Sequence, residues 1–193
     1  MEELNEFKEL EHKYKADSVK LSDFIKLMGS MNPKVRKDVS SWDYYYTNKT
    51  NEDEFMRFRQ SDNNPELTIK RKVKTSNNWE RIEVDLPLDD SRIKLNKVET
   101  FASLLNYSEN FRIYKTCFIF WLENVNYVYY VVYNENMKEV GRFIEVEVNK
   151  EQVPILGVDK AVEELKAASQ KLEEFGISAQ NRLKLSLFEM FRK

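Results

Sequence analysis

The chain carries one cysteine, Cys117, in 193 residues. No intrachain disulfide can form, and a reducing, cytoplasmic setting is expected. Four glycines and four prolines leave little material for flexible linkers or low-complexity tracts. No apolar run approaches the ~20 residues that a membrane-spanning helix needs; Cys117 to Leu122 is among the longest. The opening Met1-Glu2-Glu3-Leu4-Asn5-Glu6 lacks a basic flank and an apolar stretch, so it is not expected to act as a secretory signal. No G-x-x-x-x-G-K run is present to cradle phosphates on a glycine-rich loop. Neither sign of charge dominates. The 31 lysines and arginines against 33 aspartates and glutamates give a net charge of −2, which argues against a membrane partner or a broad nucleic-acid surface.

Charge itself is plentiful, at 33% of the chain, so its placement matters more than its sum. The segment 18–31 has Leu21, Phe24, Ile25 and Met28 at helical spacing and stops at Asn32-Pro33. Beyond Val39 the period drops toward two. Strands are expected at 42–47, 54–60, 66–73 and 79–86, joined by turn-forming runs at 48–51, 61–65 and 75–78. A short helical region is expected at 91–105, then strands at 110–122, 126–133 and 141–148. The stretch 159–191 reads as two helices broken at Phe175-Gly176-Ile177-Ser178, with Gly176 as a stop and Ser178 as a cap. The first segment is ambiguous. Leu4, Phe7, Leu10 and Tyr14 fit a helix, whereas a strand would place Glu9, Glu11 and Lys13 on one face.

Several strands share one arrangement, with charged residues alternating against apolar ones. Arg57 and Arg59 flank Phe58; Lys70 follows Ile69, and Lys72 lies two further on; Arg81, Glu83 and Asp85 flank Ile82 and Val84; Glu145 and Glu147 flank Val146. On any one strand this describes a sheet with a solvated face. Across so many strands, with amphipathic helices that need an apolar surface to cover, it points to a curled or closed sheet with its charge inside. Such an interior is costly unless the charges are paired or meet a ligand. Carboxylates are hard donors for Mg²⁺ or Mn²⁺, and lysine and arginine suit phosphate oxygens.

The ordered motifs resemble the CYTH superfamily, also called the triphosphate tunnel metalloenzymes. Glu9-Leu10-Glu11-His12-Lys13 resembles its E-x-E-x-K opening, and Asp43-Tyr44-Tyr45-Tyr46 its D-x-Y-Y segment. Phe55 to Arg59, Leu67 to Lys70, Arg81 to Glu83 and Gly141 to Glu147 resemble its paired arginines, L-T-x-K, R-x-E and G-x-F-x-E-x-E strands. The resemblance covers 9–148 and implies a single α+β domain over 1–193. Its core would be an eight-stranded antiparallel β-barrel over 5–150, a tunnel with a charged lumen. Helices would pack outside, with a C-terminal helical pair over 158–192.

By the same resemblance, Glu9 to Lys13 is a strand, and Glu9, Glu11, Glu145 and Glu147 bind or orient metal, Mg²⁺ or Mn²⁺. Glu83 would help, directly or through water. Lys13, Arg57, Arg59, Lys70, Arg81 and Lys115 would hold phosphate oxygens. Glu11 and Glu147, with Lys13, are the expected catalytic residues. Two positions depart from the pattern: Cys117 stands where an arginine is common, and Glu135, near the place of a usual aspartate, is the candidate for its metal-binding role. The implied activity is metal-dependent hydrolysis of a triphosphate-containing small molecule. The alternatives are a class IV adenylate cyclase and a non-catalytic nucleotide or polyphosphate binder. A monomer or homodimer is expected. His12, the one histidine, would point away from the lumen, Tyr127, Tyr129, Tyr130 and Tyr133 would serve packing, and Lys184 and Arg192-Lys193 would lie on a solvated helix face.

Overall fold

The computed structural model describes residues 9–61, 65–74, 79–88, 93–174 and 176–192. Leu4 and Phe7, the turn chemistry at 62–64 and 75–78, Ser91, Phe175 and Lys193 lie outside the described residues. In chain order the strands are β1 (Glu11–Lys15), β2 (Val35–Asn48), β3 (Glu54–Gln60), β4 (Glu66–Lys74), β5 (Trp79–Pro87), β6 (Tyr107–Trp121), β7 (Val125–Tyr133), β8 (Glu139–Val148) and the two-residue β9 (Arg182–Leu183). The helices are α1 (Leu21–Ser30), α2 (Leu95–Leu104), the single turn α3 (Val153–Leu156), α4 (Val158–Glu174) and α5 (Leu187–Phe191). No helix among the described residues is long and apolar enough to cross a membrane.

All nine strands form one antiparallel sheet in the order β5-β4-β3-β2-β6-β7-β8-β1-β9. Irregularities at Tyr45/Tyr46 and Val132/Tyr133 add to its bend. The sheet curls until Glu9, just before β1, donates its backbone N–H to the Arg81 carbonyl of β5 at 3.2 Å. No regular ladder joins β1 to β5 among the described residues, because β9 pairs with β1 at Lys13 and Tyr14. The expected eight-strand barrel is therefore observed as a curled nine-stranded sheet.

The segment whose composition favours helix is a strand. Residues Glu11 to Lys15 pair with Glu147 to Phe143 of β8, and Tyr14 is buried in the core. Sheet pairing and burial outweigh the modest helix preference of Glu and Lys. The C-terminal pair is half realised. α4 forms and Gly176 ends it at φ 86°, but Ser178 caps a 3-10 turn rather than a second long helix. β9 and the five-residue α5 follow. Pairing with β1 draws 182–183 into an extended form that a helix could not adopt.

Apolar faces point outward under the helices. Phe24, Leu27 and Met28 of α1 and Leu165, Ala168 and Leu172 of α4 pack on Tyr14, Tyr127, Ile144 and Val146. On the far side, Val98 and Ala102 of α2 cover Tyr44, Tyr46, Met56 and Phe58. Each such large side chain contributes roughly 1.5–3 kcal/mol by leaving water. A third cluster fills one end of the concave side, where Leu187 and Phe188 of α5 meet Tyr45, Phe55, Phe111 and Phe143. Phe188 stacks on Phe55 with centroids 4.4 Å apart and planes at 13°.

Candidate functional site

Strand alternation sends one residue in two into the concave side. A cavity of about 610 Å³ opens there. It is lined by Glu9, Glu11 and Lys13 from the β1 region, Arg57 and Arg59 from β3, and Lys70 from β4. Arg81 and Glu83 come from β5, Lys115 from β6, and Glu145 and Glu147 from β8.

The charges form a network rather than isolated pairs. Arg59 Nε donates to Asp43 Oδ1 at 3.0 Å, and Lys115 Nζ lies 2.7 Å from Asp43 Oδ2. Arg57 donates to Glu66 at 2.8 Å and to Thr68 Oγ1 at 2.7 Å. Lys13 bridges Glu11 at 3.2 Å and Glu145 at 3.0 Å. Lys70 meets Glu9 at 2.5 Å and also pairs with Glu83, while Arg81 sits 3.5 Å from Glu9 and 3.7 Å from Glu11. Every one of these charges is at least partly withdrawn from water, where only pairing and hydrogen bonds offset the desolvation cost.

Proton affinities follow from that crowding. Burial would raise the Asp43 carboxyl, but Arg59 and Lys115 outweigh it and hold the group well below the usual carboxylate range. Burial also opposes the charge on Glu11, yet Lys13, Lys70 and Arg81 keep it low. Glu9 goes up, through burial and then through its neighbour Glu11. Glu147 is pushed up to about 8 by burial, Glu83 and Glu11. Glu11 and Glu147 are direct cross-strand partners, so two acids face each other across β1 and β8.

No protein-family model and no curated protein matches the chain. Solved structures do. A conserved hypothetical protein of Pyrococcus furiosus superposes with a TM-score of 0.70 at 22% identity, over 95% of this chain and 99% of that one. A Pyrococcus horikoshii protein gives 0.68 at 18%, over 96% and 99%. A Vibrio parahaemolyticus protein provisionally named an adenylate cyclase gives 0.62 at 14%, over 95% and 97%. The fold is the CYTH fold.

On this CYTH fold, eleven of the twelve residues singled out from the sequence share the cavity. Glu135 does not. β7 ends at Tyr133, so Glu135 falls in the following turn, exposed, with Arg112 at 3.5 Å. His12 faces α4 as expected, with Nδ1 2.7 Å from Ser169 Oγ. Burial and then Arg182 hold it down at about 4. Tyr127 and Tyr129 donate to the Ala168 and Val19 carbonyls in the outer core, whereas Tyr130 points inward and donates to Glu145 at 2.8 Å. Cys117 lines the cavity, and burial pushes its thiol up, away from a reactive thiolate. Lys184 is exposed, but in the extended segment before α5.

Sequence reasoning passed over several participants, Glu66 beside Arg57 and Arg59 among them. Asp43 was visible only as part of a motif, and its buried bridging role needed the fold. Asp85 shares the alternation of Glu83 and holds Lys150. Lys150 itself sits in a 3-10 turn after β8 and reaches Glu83 at 2.7 Å. Glu189 of α5 pairs with Lys72 and lies 3.3 Å from Arg81. Neither Lys150 nor Glu189 lies on an alternating strand, so no local pattern marks them.

Among the described residues, no three acidic, histidine or cysteine side chains stand close enough to hold a metal ion as arranged. The donor chemistry nonetheless fits a hard divalent cation. Glu11 and Glu147 oppose each other as like charges, and Glu147 makes no ion pair among the described residues. Glu9 Oε2 is buried without a hydrogen bond. A cation at this acidic side would relieve all three groups.

Proposed function

We propose that the chain is a metal-dependent phosphohydrolase that cleaves a triphosphate within this cavity. The observation that carries the reading is the convergence of Lys13, Arg57, Arg59, Lys70, Arg81 and Lys115 with Glu9, Glu11, Glu83, Glu145 and Glu147 around one space of about 610 Å³. The backbone hydrogen bond from Glu9 to Arg81 supports reading the curled sheet as a tunnel around the substrate.

Arg57 and Arg59 offer planar forks to phosphate oxygens. Lys70 and Arg81, which lie against Glu9, would turn to a bound triphosphate and leave the glutamates to a cation. Mg²⁺ or Mn²⁺ held by Glu9, Glu11, Glu145 and Glu147, with Glu83 nearby, would neutralise phosphate charge and polarise the phosphoryl oxygens. Lys13 holds Glu11 and Glu145 in place. Glu11 or Glu147 would orient the attacking water. The fixed cations offset charge on the transferred group as its bond loosens. No protein nucleophile is required.

The test is a panel of triphosphates with Mg²⁺ or Mn²⁺, read for phosphate, pyrophosphate and cyclic AMP. Phosphate release is expected, and Glu145→Gln and Glu9→Gln should bring it to background with melting curves still cooperative. Undiminished release in both variants overturns the reading. Cyclic AMP with pyrophosphate from ATP would replace hydrolysis by cyclisation, and tight binding without turnover would leave a binding module.

A further inference from the structure

The cavity is not charged on every side. β3 accompanies β2 only along Trp42 to Thr47, whereas β6 pairs with it from Val35 to Asn48. Past Lys115, the inward positions of β6 are Cys117, Ile119 and Trp121, and Ile119 has Val128 of β7 as its cross-strand partner. All four line the same cavity as Lys115 and are partly exposed within it. At ~3.3 Å per residue, Cys117, Ile119 and Trp121 lie about 7, 13 and 20 Å along β6 from Lys115. β6 is four strands from β5 in sheet order, and Glu83 and Asp85 of β5 line the same cavity as this apolar strip.

A second observation lies beside it. Asn126 is the cross-strand partner of Trp121 and also lines the cavity. Its Oδ1 is buried with no hydrogen-bond partner. Buried acceptors are nearly always satisfied, so this one calls for a donor. Three phosphates alone would meet neither feature. They are acceptors with no N–H group, and they would leave an indole and two aliphatic side chains facing water. A volume of about 610 Å³ is in the range that holds a drug-sized organic ligand.

We propose that the strip from Cys117 to Trp121 seats a flat organic ring joined to the triphosphate, with Asn126 accepting a hydrogen bond from the ring's N–H group. The substrate class is then an organic triphosphate ester, such as an amino-bearing nucleoside triphosphate, in preference to inorganic triphosphate. The inference rests on the triphosphate reading above and narrows it. The phosphates lie inward, at Lys115 and Arg59, and the ring lies toward Trp121.

Isothermal titration in the presence of Mg²⁺ would compare inorganic triphosphate with adenosine, guanosine, cytidine and thiamine triphosphates. The parent chain should bind at least one ring-bearing compound more tightly than inorganic triphosphate. Trp121→Ala should reduce the ratio of the two affinities by roughly 5–150-fold, the range for losing one stacked ring. Trp121→Phe, which keeps an aromatic face, should restore part of that ratio and guards against simple misfolding. Asn126→Ala should weaken the amino-bearing compounds relative to inorganic triphosphate. Equal affinity for inorganic and organic compounds in the parent, or an unchanged ratio in Trp121→Ala, overturns the ring seat and leaves the triphosphate reading standing. Failure of every triphosphate to bind overturns both.

Discussion

Asp43 is fully buried, and two cations converge on it. Replacing it by asparagine keeps the shape and removes the charge. Lys115 then remains buried without its counter-ion, and Arg59 keeps only a longer contact of 3.7 Å to Glu66. Removing one partner from a buried ion pair costs about 3–5 kcal/mol, because the remaining charge stays desolvated. In a chain of this length each kcal/mol moves the melting temperature by about 2–4 °C, so Asp43→Asn should lower Tm by about 6–20 °C. Salt should restore little, since screening acts weakly on buried pairs. Adding Lys115→Met should recover part of the loss by removing one stranded cation. Thermal melts of the parent, both single variants and the double variant measure that coupling. A Tm for Asp43→Asn within about 2 °C of the parent would refute the reasoning, as would losses that simply add.

The same residue sets a pH dependence. Its folded carboxyl stays ionised below the ~3.9 of an unfolded aspartate, so its stabilisation is complete above about pH 5 and is lost as pH falls toward the folded value. Acid melts of the parent should show this fall, and those of Asp43→Asn should show a shallower one. Phe188→Ala should cost about 3–5 kcal/mol by emptying the aromatic end of the concave side, read as a lower urea midpoint; an unchanged midpoint would mean that α5 is not held there. Mg²⁺ or Mn²⁺ at about 100 times its Kd should add roughly 2.7 kcal/mol, or about 5–11 °C in Tm, reversed by a chelator. Glu147→Gln should blunt that gain, and an equal gain in the variant would remove Glu147 from the cation's ligands.

Much of the site was legible from residue order alone. Charge alternating with apolar side chains on β3, β4, β5 and β8 depends only on the two-residue period of a strand, which sets faces before any partner is known. The place of Arg57, Lys70, Glu83 and Glu145 on the charged face of each strand could be read in that way. Glu135 misled because an acid near the right distance was taken for one at the right position. A strand that ends two residues earlier, at Tyr133, carries it into solvent.

The contacts between those faces were beyond local pattern. Lys70 and Glu9 are 61 residues apart, and Lys72 and Glu189 are 117 apart. Which cation meets which acid depends on register and on how far the sheet curls, and both come from pairing between distant strands. The same cause turned 11–15 into a strand against its composition, drew 182–183 out of a helix, and left the apolar strip of β6 open in the same cavity as Lys115. Side-chain type and spacing assigned each strand a charged and an apolar face. Long-range packing chose which face turned inward and what each charge found there, because an ion pair needs its two partners within a few ångströms and only the assembled sheet supplies that.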